Sequence, residues 1–227
     1  MKVRELFPEL YRVVKEKHER VGLTGDGHNF WHAVRVAQCA LDIAETPEVG
    51  RLAAAAGLCY NAGRILNKEF VVGDFPTPRD SIISKRVENC LRQESRLAGQ
   101  EYSVIVEAVL LHNRQNWEQA GKPVAITLAD ADRIVNLEAD VVIRNGQFHH
   151  SLPAVDPVHF LSDPAASYRD PRSVLFDISL SLDWMEPGGP VCIRLPKAWG
   201  RAKPRAEFLR LYLDTVLRQW EQAGMVP

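Results

Sequence analysis

Seven consecutive residues, Leu52-Ala-Ala-Ala-Ala-Gly-Leu58, carry no polar side chain. Alanine is the strongest helix former, and a helix that is apolar all round has to be buried, in a bundle or in a membrane. The flanks favour the bundle. Thr46 suits an N-cap, Pro47 the first helical position, and Glu48 the first turn, where the dipole favours a negative charge. No stretch of the chain approaches the 18 uncharged apolar residues of a membrane span. A helix over about 47–66 is therefore expected at the centre of a helical bundle.

The rest of the pattern supplies its neighbours. Leu6, Leu10, Val13, Val14 and Val21 recur at helical spacing and predict a helix over about 5–21, ended by Gly22 and the glycines at 25 and 27. Further helices are expected over about 28–45, 80–97, 101–112 and 128–137, with loops at 67–79 and 114–123. Residues 144–172 hold Pro153, Pro157, Pro164 and Pro171 and read as a long irregular segment, of the kind that is often functional. Helical pattern returns at 173–184, a turn at Pro187-Gly-Gly-Pro190, a short extended piece at 191–195, and a last helix at 205–223. The expected fold is all-α, one domain over 1–227, with 144–204 as an irregular extension and 205–223 as its closing helix.

Lys plus Arg number 28 and Asp plus Glu 29, a net charge of −1, which argues against nucleic-acid binding by bulk positive charge. Met1–Glu5 is charged and no apolar run follows it, so no secretory signal and a cytoplasmic protein are expected. The four cysteines, at 39, 59, 90 and 192, form no Cys-x-x-Cys pair and read as reduced, buried thiols. No phosphate-binding glycine loop, His-Glu-x-x-His or Gly-x-Ser-x-Gly is present.

Chemistry concentrates in two stretches. In His28-Asn-Phe-Trp-His32-Ala-Val-Arg-Val36, the histidines are one turn apart, and the face of His32 continues through Val36, Cys39, Ala40 and Ile43. His32 thus points inward, as a hydrogen-bonded core residue or as a ligand. In Leu128-Ala-Asp130-Ala-Asp132-Arg133-Ile-Val, Asp132 shares a face with Leu128 and Val135 and needs a partner, either a metal or an arginine such as Arg133 or Arg35. Histidines 149 and 150 read as solvated loop residues. Arg194, Lys197, Arg201, Lys203 and Arg205 read as a solvated face, with phosphate binding as the alternative.

Together these stretches resemble the HD superfamily of metal-dependent phosphohydrolases, over about residues 20–140. The resemblance implies an HD-domain-like bundle with His32 and Asp132 as metal ligands. The family's His-Asp doublet would follow the buried helix, where this chain reads Cys59-Tyr60-Asn61-Ala-Gly63. Tyr60 is a poor ligand at neutral pH, and Asn61 offers only a neutral oxygen. His28 and His112 are the substitute ligands or proton-transfer groups, Asn61 a weak ligand, and Arg35 and Arg133 the candidates for orienting a phosphate. The function implied is hydrolysis of a nucleotide or other phosphorylated small molecule at a weakened or rebuilt site. The cofactor implied is a divalent ion: Mn, Fe, Ni, Zn or Mg. The alternative is a catalytically inactive, metal-free relative that binds a nucleotide or a protein partner, with Tyr60 filling the vacant site.

Overall fold

The computed structural model describes residues 2–23, 27–69, 79–163, 165–167 and 170–225. Within them the protein is all-α, with no strand. The helices are α1 (Val3–Leu6), α2 (Pro8–Arg20), α3 (Phe30–Ile43), α4 (Pro47–Cys59), α5 (Ala62–Glu69), α6 (Asp80–Leu91), α7 (Tyr102–Leu111), α8 (Pro123–Val135), α9 (Val141–Phe148), α10 (Val174–Ser181) and α11 (Pro196–Gln222). No described helix is long and apolar enough to cross a membrane.

Helix α4 is central, packed against α3, α7 and α8. Its start is built as its sequence dictates: the Thr46 hydroxyl accepts from the Val49 N–H at 3.2 Å, and Pro47 opens the first turn. All seven residues from Leu52 to Leu58 are buried. Gly57 sets the distance to α3, because a Cβ there would lie 2.8 Å from the Ala37 Cα. Only glycine permits so close a crossing. The tight contact fixes the relative register of α3 and α4, hence of His32 and Tyr60.

Several expected boundaries move. The first helix is interrupted at Phe7, since Pro8 has no N–H to continue the ladder and opens a second helix instead. The helix expected over 47–66 breaks at Tyr60-Asn61 and resumes as α5. Helix α8 starts at Pro123, earlier than its apolar spacing indicates. The segment expected to be irregular from 144 begins inside a helix, α9, while the helix expected at 173–184 is present as α10. The last helix is 27 residues long and begins at Pro196. It runs through Pro204, whose local cost is about 3 kcal/mol. Ala198, Ala202, Ala206, Leu209 and Leu213 form one buried stripe across that proline, and their burial holds the helix continuous. The expected loop at 67–79 falls mostly on 70–78, outside the described residues, as do part of the 24–27 turn and Pro164.

Candidate functional site

Four helices bring five chemical groups to the same place. His32 comes from the first turn of α3, Tyr60 and Asn61 from the break after α4, His112 from the end of α7, and Asp132 from α8. The Asn29 side chain caps α3 by accepting from the His32 N–H at 3.1 Å, which aims the His32 ring into the core. His32 is fully buried, and its Nε2 lies 3.4 Å from Asp132 Oδ1. Asn136, one turn on, donates to the same carboxylate oxygen at 3.2 Å.

Tyr60 packs against two of the histidines. Its ring centroid is 5.9 Å from that of His32 and 5.2 Å from that of His112. The His28 ring lies 5.4 Å from His32 on the other side. His112 contacts the Val109 carbonyl through Nδ1 at 2.7 Å. A carbonyl only accepts, so Nδ1 carries the proton and Nε2 is the free lone pair of the neutral ring.

Burial governs the charges. It lowers the pKa values of His28, His32 and His112, and for His28 the Arg64 guanidinium adds to the effect. At neutral pH these imidazoles are uncharged. Burial pushes the Tyr60 phenol well up, and the Asp132 charge beside it pushes it further, so Tyr60 is a neutral O–H. Burial also opposes the Asp132 charge. The hydrogen bond to His32, and the positive charge that His32, His112 and His28 take up at acid pH, outweigh it and hold the carboxyl below its usual range. At neutral pH Asp132 is therefore the one anion of this cluster, among neutral imidazoles and a neutral phenol, with the Arg64 and Arg144 charges nearby.

Asn61 is tied down rather than aimed outward. Its Nδ2 donates to the His28 carbonyl at 2.9 Å and lies 3.4 Å from Nε2 of His18. His18 is buried, with Nδ1 on the Val14 carbonyl at 2.9 Å, so its Nε2 is free to accept. Sequence reasoning missed His18, although Leu10, Val14 and His18 share one helical face.

These groups do not form a ready metal site. Among the described residues, three His, Cys, Asp or Glu donor atoms approach within 4.8 Å of one another only at Asp156, His159 and Asp163, in the segment before α10. No three of His28, His32, His112 and Asp132 do so, and the phenol ring of Tyr60 packs against both His32 and His112. The arrangement around Asp132 does not fit a held divalent ion. Two buried atoms point the other way: among the described residues, His32 Nδ1 and Asn61 Oδ1 have no hydrogen-bond partner.

Asp132, Tyr60, Asn61, His28 and His112 line a cavity of about 750 Å³, together with Arg64 and Arg114. That volume suits a drug-sized or nucleotide-sized molecule. Helices α9 and α10 supply one wall.

Two expected residues lie elsewhere. Arg133 is buried, donating to the Cys192 carbonyl at 2.7 Å and to Asp130 at 3.3 Å. One residue along a helix is a turn of about 100°, so the neighbour of an inward Asp132 faces a different helix. Arg35 is engaged by Glu138 at 2.9 Å and Asp140 at 2.8 Å. Neither lines the cavity, so neither orients a phosphate there. The basic run near α11 is largely spent within the fold: Arg194 binds Asp130 and Gln119, Lys197 the Ala44 carbonyl, Arg201 Asp42, and Arg205 Glu138. Lys197, Arg201 and Lys203 are exposed, as the solvated face expects, whereas Arg194 and Arg205 are half-buried.

No family model matches the chain, and no curated protein or solved structure matches it.

Proposed function

We propose that this protein is an HD-like helical bundle that binds a phosphorylated small molecule of nucleotide size in the cavity beside Asp132, without metal-dependent hydrolysis. Tyr60 carries the reading. Where the resemblance calls for a ligating imidazole, a neutral phenol stands, packed against both His32 and His112. A metal-bound water needs ligands that converge. The cavity itself supports binding, with Arg64 and Arg114 offering forked N–H donors suited to phosphate oxygens.

The second reading is a phosphohydrolase with one rebuilt metal site. The unpartnered His32 Nδ1 and Asn61 Oδ1 favour it, since buried polar atoms are usually satisfied. In that case His32, Asp132 and Asn61 would hold the ion, which would supply a hydroxide and polarise a phosphoryl oxygen.

Elemental analysis of protein purified without chelator separates the two, run beside His32→Ala. The proposal expects well under one transition metal per chain in both. It also expects calorimetric binding of adenosine monophosphate, weakened about tenfold or more by Arg64→Ala. About one metal per chain, lost in His32→Ala, would replace the first reading with the second. No binding of any phosphorylated probe would overturn both.

A further inference from the structure

The wall formed by α9 and α10 carries a second polar group that the phosphate reading leaves unused. Asp177, on α10, lines the cavity with its side chain only 10% exposed. Asn145 on α9 donates to Asp177 Oδ2 at 2.7 Å, and His149 Nε2 faces the same oxygen at 3.5 Å. Among the described residues no group donates to the other oxygen, Oδ1. His149 lines the cavity too, at 19% side-chain exposure, although its place in a loop pair suggests a solvated residue. Its neighbour Phe148 packs edge-on against it at 4.7 Å and against His28 at 5.3 Å, so one aromatic side chain links this wall to His28.

A carboxylate buried in a cavity wall needs donors. Here two protein groups converge on one oxygen and hold it, which aims the remaining oxygen at whatever enters. A cation is a poor match, because Asn145 and His149 already hold one oxygen and the Arg64 guanidinium lies over the Phe148 ring at 5.5 Å, where it repels a second positive charge. Neutral O–H donors suit it better. A vicinal diol presents two hydroxyls, one for Asp177 Oδ1 and one for the amide oxygen of Asn145, which itself only accepts.

We propose that Asp177, oriented by Asn145 and His149, is a recognition subsite for the vicinal hydroxyls of a sugar, so that the ligand is a sugar phosphate or ribonucleotide rather than its deoxy form. Burial raises the Asp177 pKa, with the His149 contact opposing, as expected of a carboxylate kept dry for a neutral donor. The inference rests on the cavity binding a phosphorylated molecule. A site built to hydrogen-bond a hydroxyl rejects the analogue that lacks it, because its own polar groups are left unpaired.

Calorimetry on the full chain tests it, with ribose 5-phosphate, 2-deoxyribose 5-phosphate and inorganic pyrophosphate as probes. The expected result is at least tenfold tighter binding of the ribose compound than of its deoxy analogue. Asp177→Asn should remove that ratio and leave pyrophosphate binding unchanged. Thermal melting of Asp177→Asn, and of Asn145→Asp as a second variant, checks that the fold survives, and His149→Gln should reduce the ratio without abolishing it. If both sugar phosphates bind equally in the wild type, or if Asp177→Asn keeps the ratio, the subsite is overturned while the phosphate reading stands. If no probe binds the wild type, the phosphate reading itself falls, and the subsite with it.

Discussion

Asp130→Ala separates a structural arginine from a phosphate-binding one. Asp130 is fully buried. Its Oδ2 accepts the backbone N–H groups of Arg194 and Leu195, both at 2.8 Å, and its Oδ1 accepts from the Arg133 and Arg194 side chains, both at 3.3 Å. One carboxylate thus fixes the chain just before α11 to the core helix α8. Removing it strands a buried guanidinium, and breaking a buried pair on one side costs about 3–5 kcal/mol. For a chain of this size each kcal/mol moves Tm by about 2–4 °C, so Tm should fall by about 6–20 °C. Asp130→Asn keeps one acceptor oxygen and the shape, and should lose roughly half as much. The assay is thermal melting followed by circular dichroism, with adenosine monophosphate binding measured well below the midpoint. A loss under about 2 °C, or intact stability with abolished binding, would show that this network serves the ligand and not the fold.

Three further outcomes follow from the same packing. Gly57→Ala drives a methyl to 2.8 Å from the Ala37 Cα and should cost about 1–3 kcal/mol in urea unfolding, or more if α3 and α4 cannot part; no loss would mean the helices cross less tightly. Burial lowers the pKa values of His18, His28, His32 and His112, so the unfolded chain takes up their protons near pH 6.5 while the folded protein does not. Stability should therefore fall as pH drops below about 6.5, by up to about 1.4 kcal/mol per pH unit for each histidine, and urea midpoints that rise between pH 7 and 5 would contradict the buried neutral rings. All four cysteines are buried, so a thiol reagent should label the native protein slowly and all four sites once it is unfolded; rapid native labelling would refute their burial.

What was legible in the sequence was the part decided by short-range chemistry. Thr46 and Pro47 announce a helix start because a cap is a local event, and the Leu52–Leu58 run announces a buried helix because no face of it tolerates water. His32 and Asp132 were placed inward by the residues one turn away, and they meet. Long-range competition hid the rest. Arg133 reads as a phosphate-orienting group or a partner for Asp132 until Asp130 and the Cys192 carbonyl, 59 residues further on, claim it. Pro204 reads as a barrier, yet the alanine stripe from Ala198 to Ala206 carries α11 across it. His149 reads as a loop residue, and only the packing of α9 on α10 brings it to Asp177. The break at Tyr60-Asn61 has no proline to mark it. It arises where the Asn61 amide turns to the His28 carbonyl and to His18, contacts that span 33 and 43 residues.

Tyr60 at that break is the place where filling a vacancy and holding a ligand come apart. The side chain is 6% exposed and lines the cavity, and burial keeps its phenol protonated. Its Oη makes no well-formed hydrogen bond to a described residue, although the Asp132 charge acts on it. A buried hydroxyl without a partner contributes nothing to the fold, and replacing it by an apolar group of the same shape is close to neutral. Tyr60→Phe should therefore melt within about 1 kcal/mol of the wild type. Tyr60→Ala, which empties the space against His32 and His112, should cost about 3–5 kcal/mol. If the phenol only fills space, Tyr60→Phe keeps full affinity for adenosine monophosphate. If its O–H is held ready for a phosphate oxygen, the same variant loses about 1 kcal/mol or more of binding, a fivefold to tenfold drop, at unchanged stability. The proposed cavity expects the second result. A Tyr60→Phe protein destabilised by more than about 2 kcal/mol would mean that Oη is bonded within the fold, and the phenol would then be a structural pin rather than a donor waiting for a ligand.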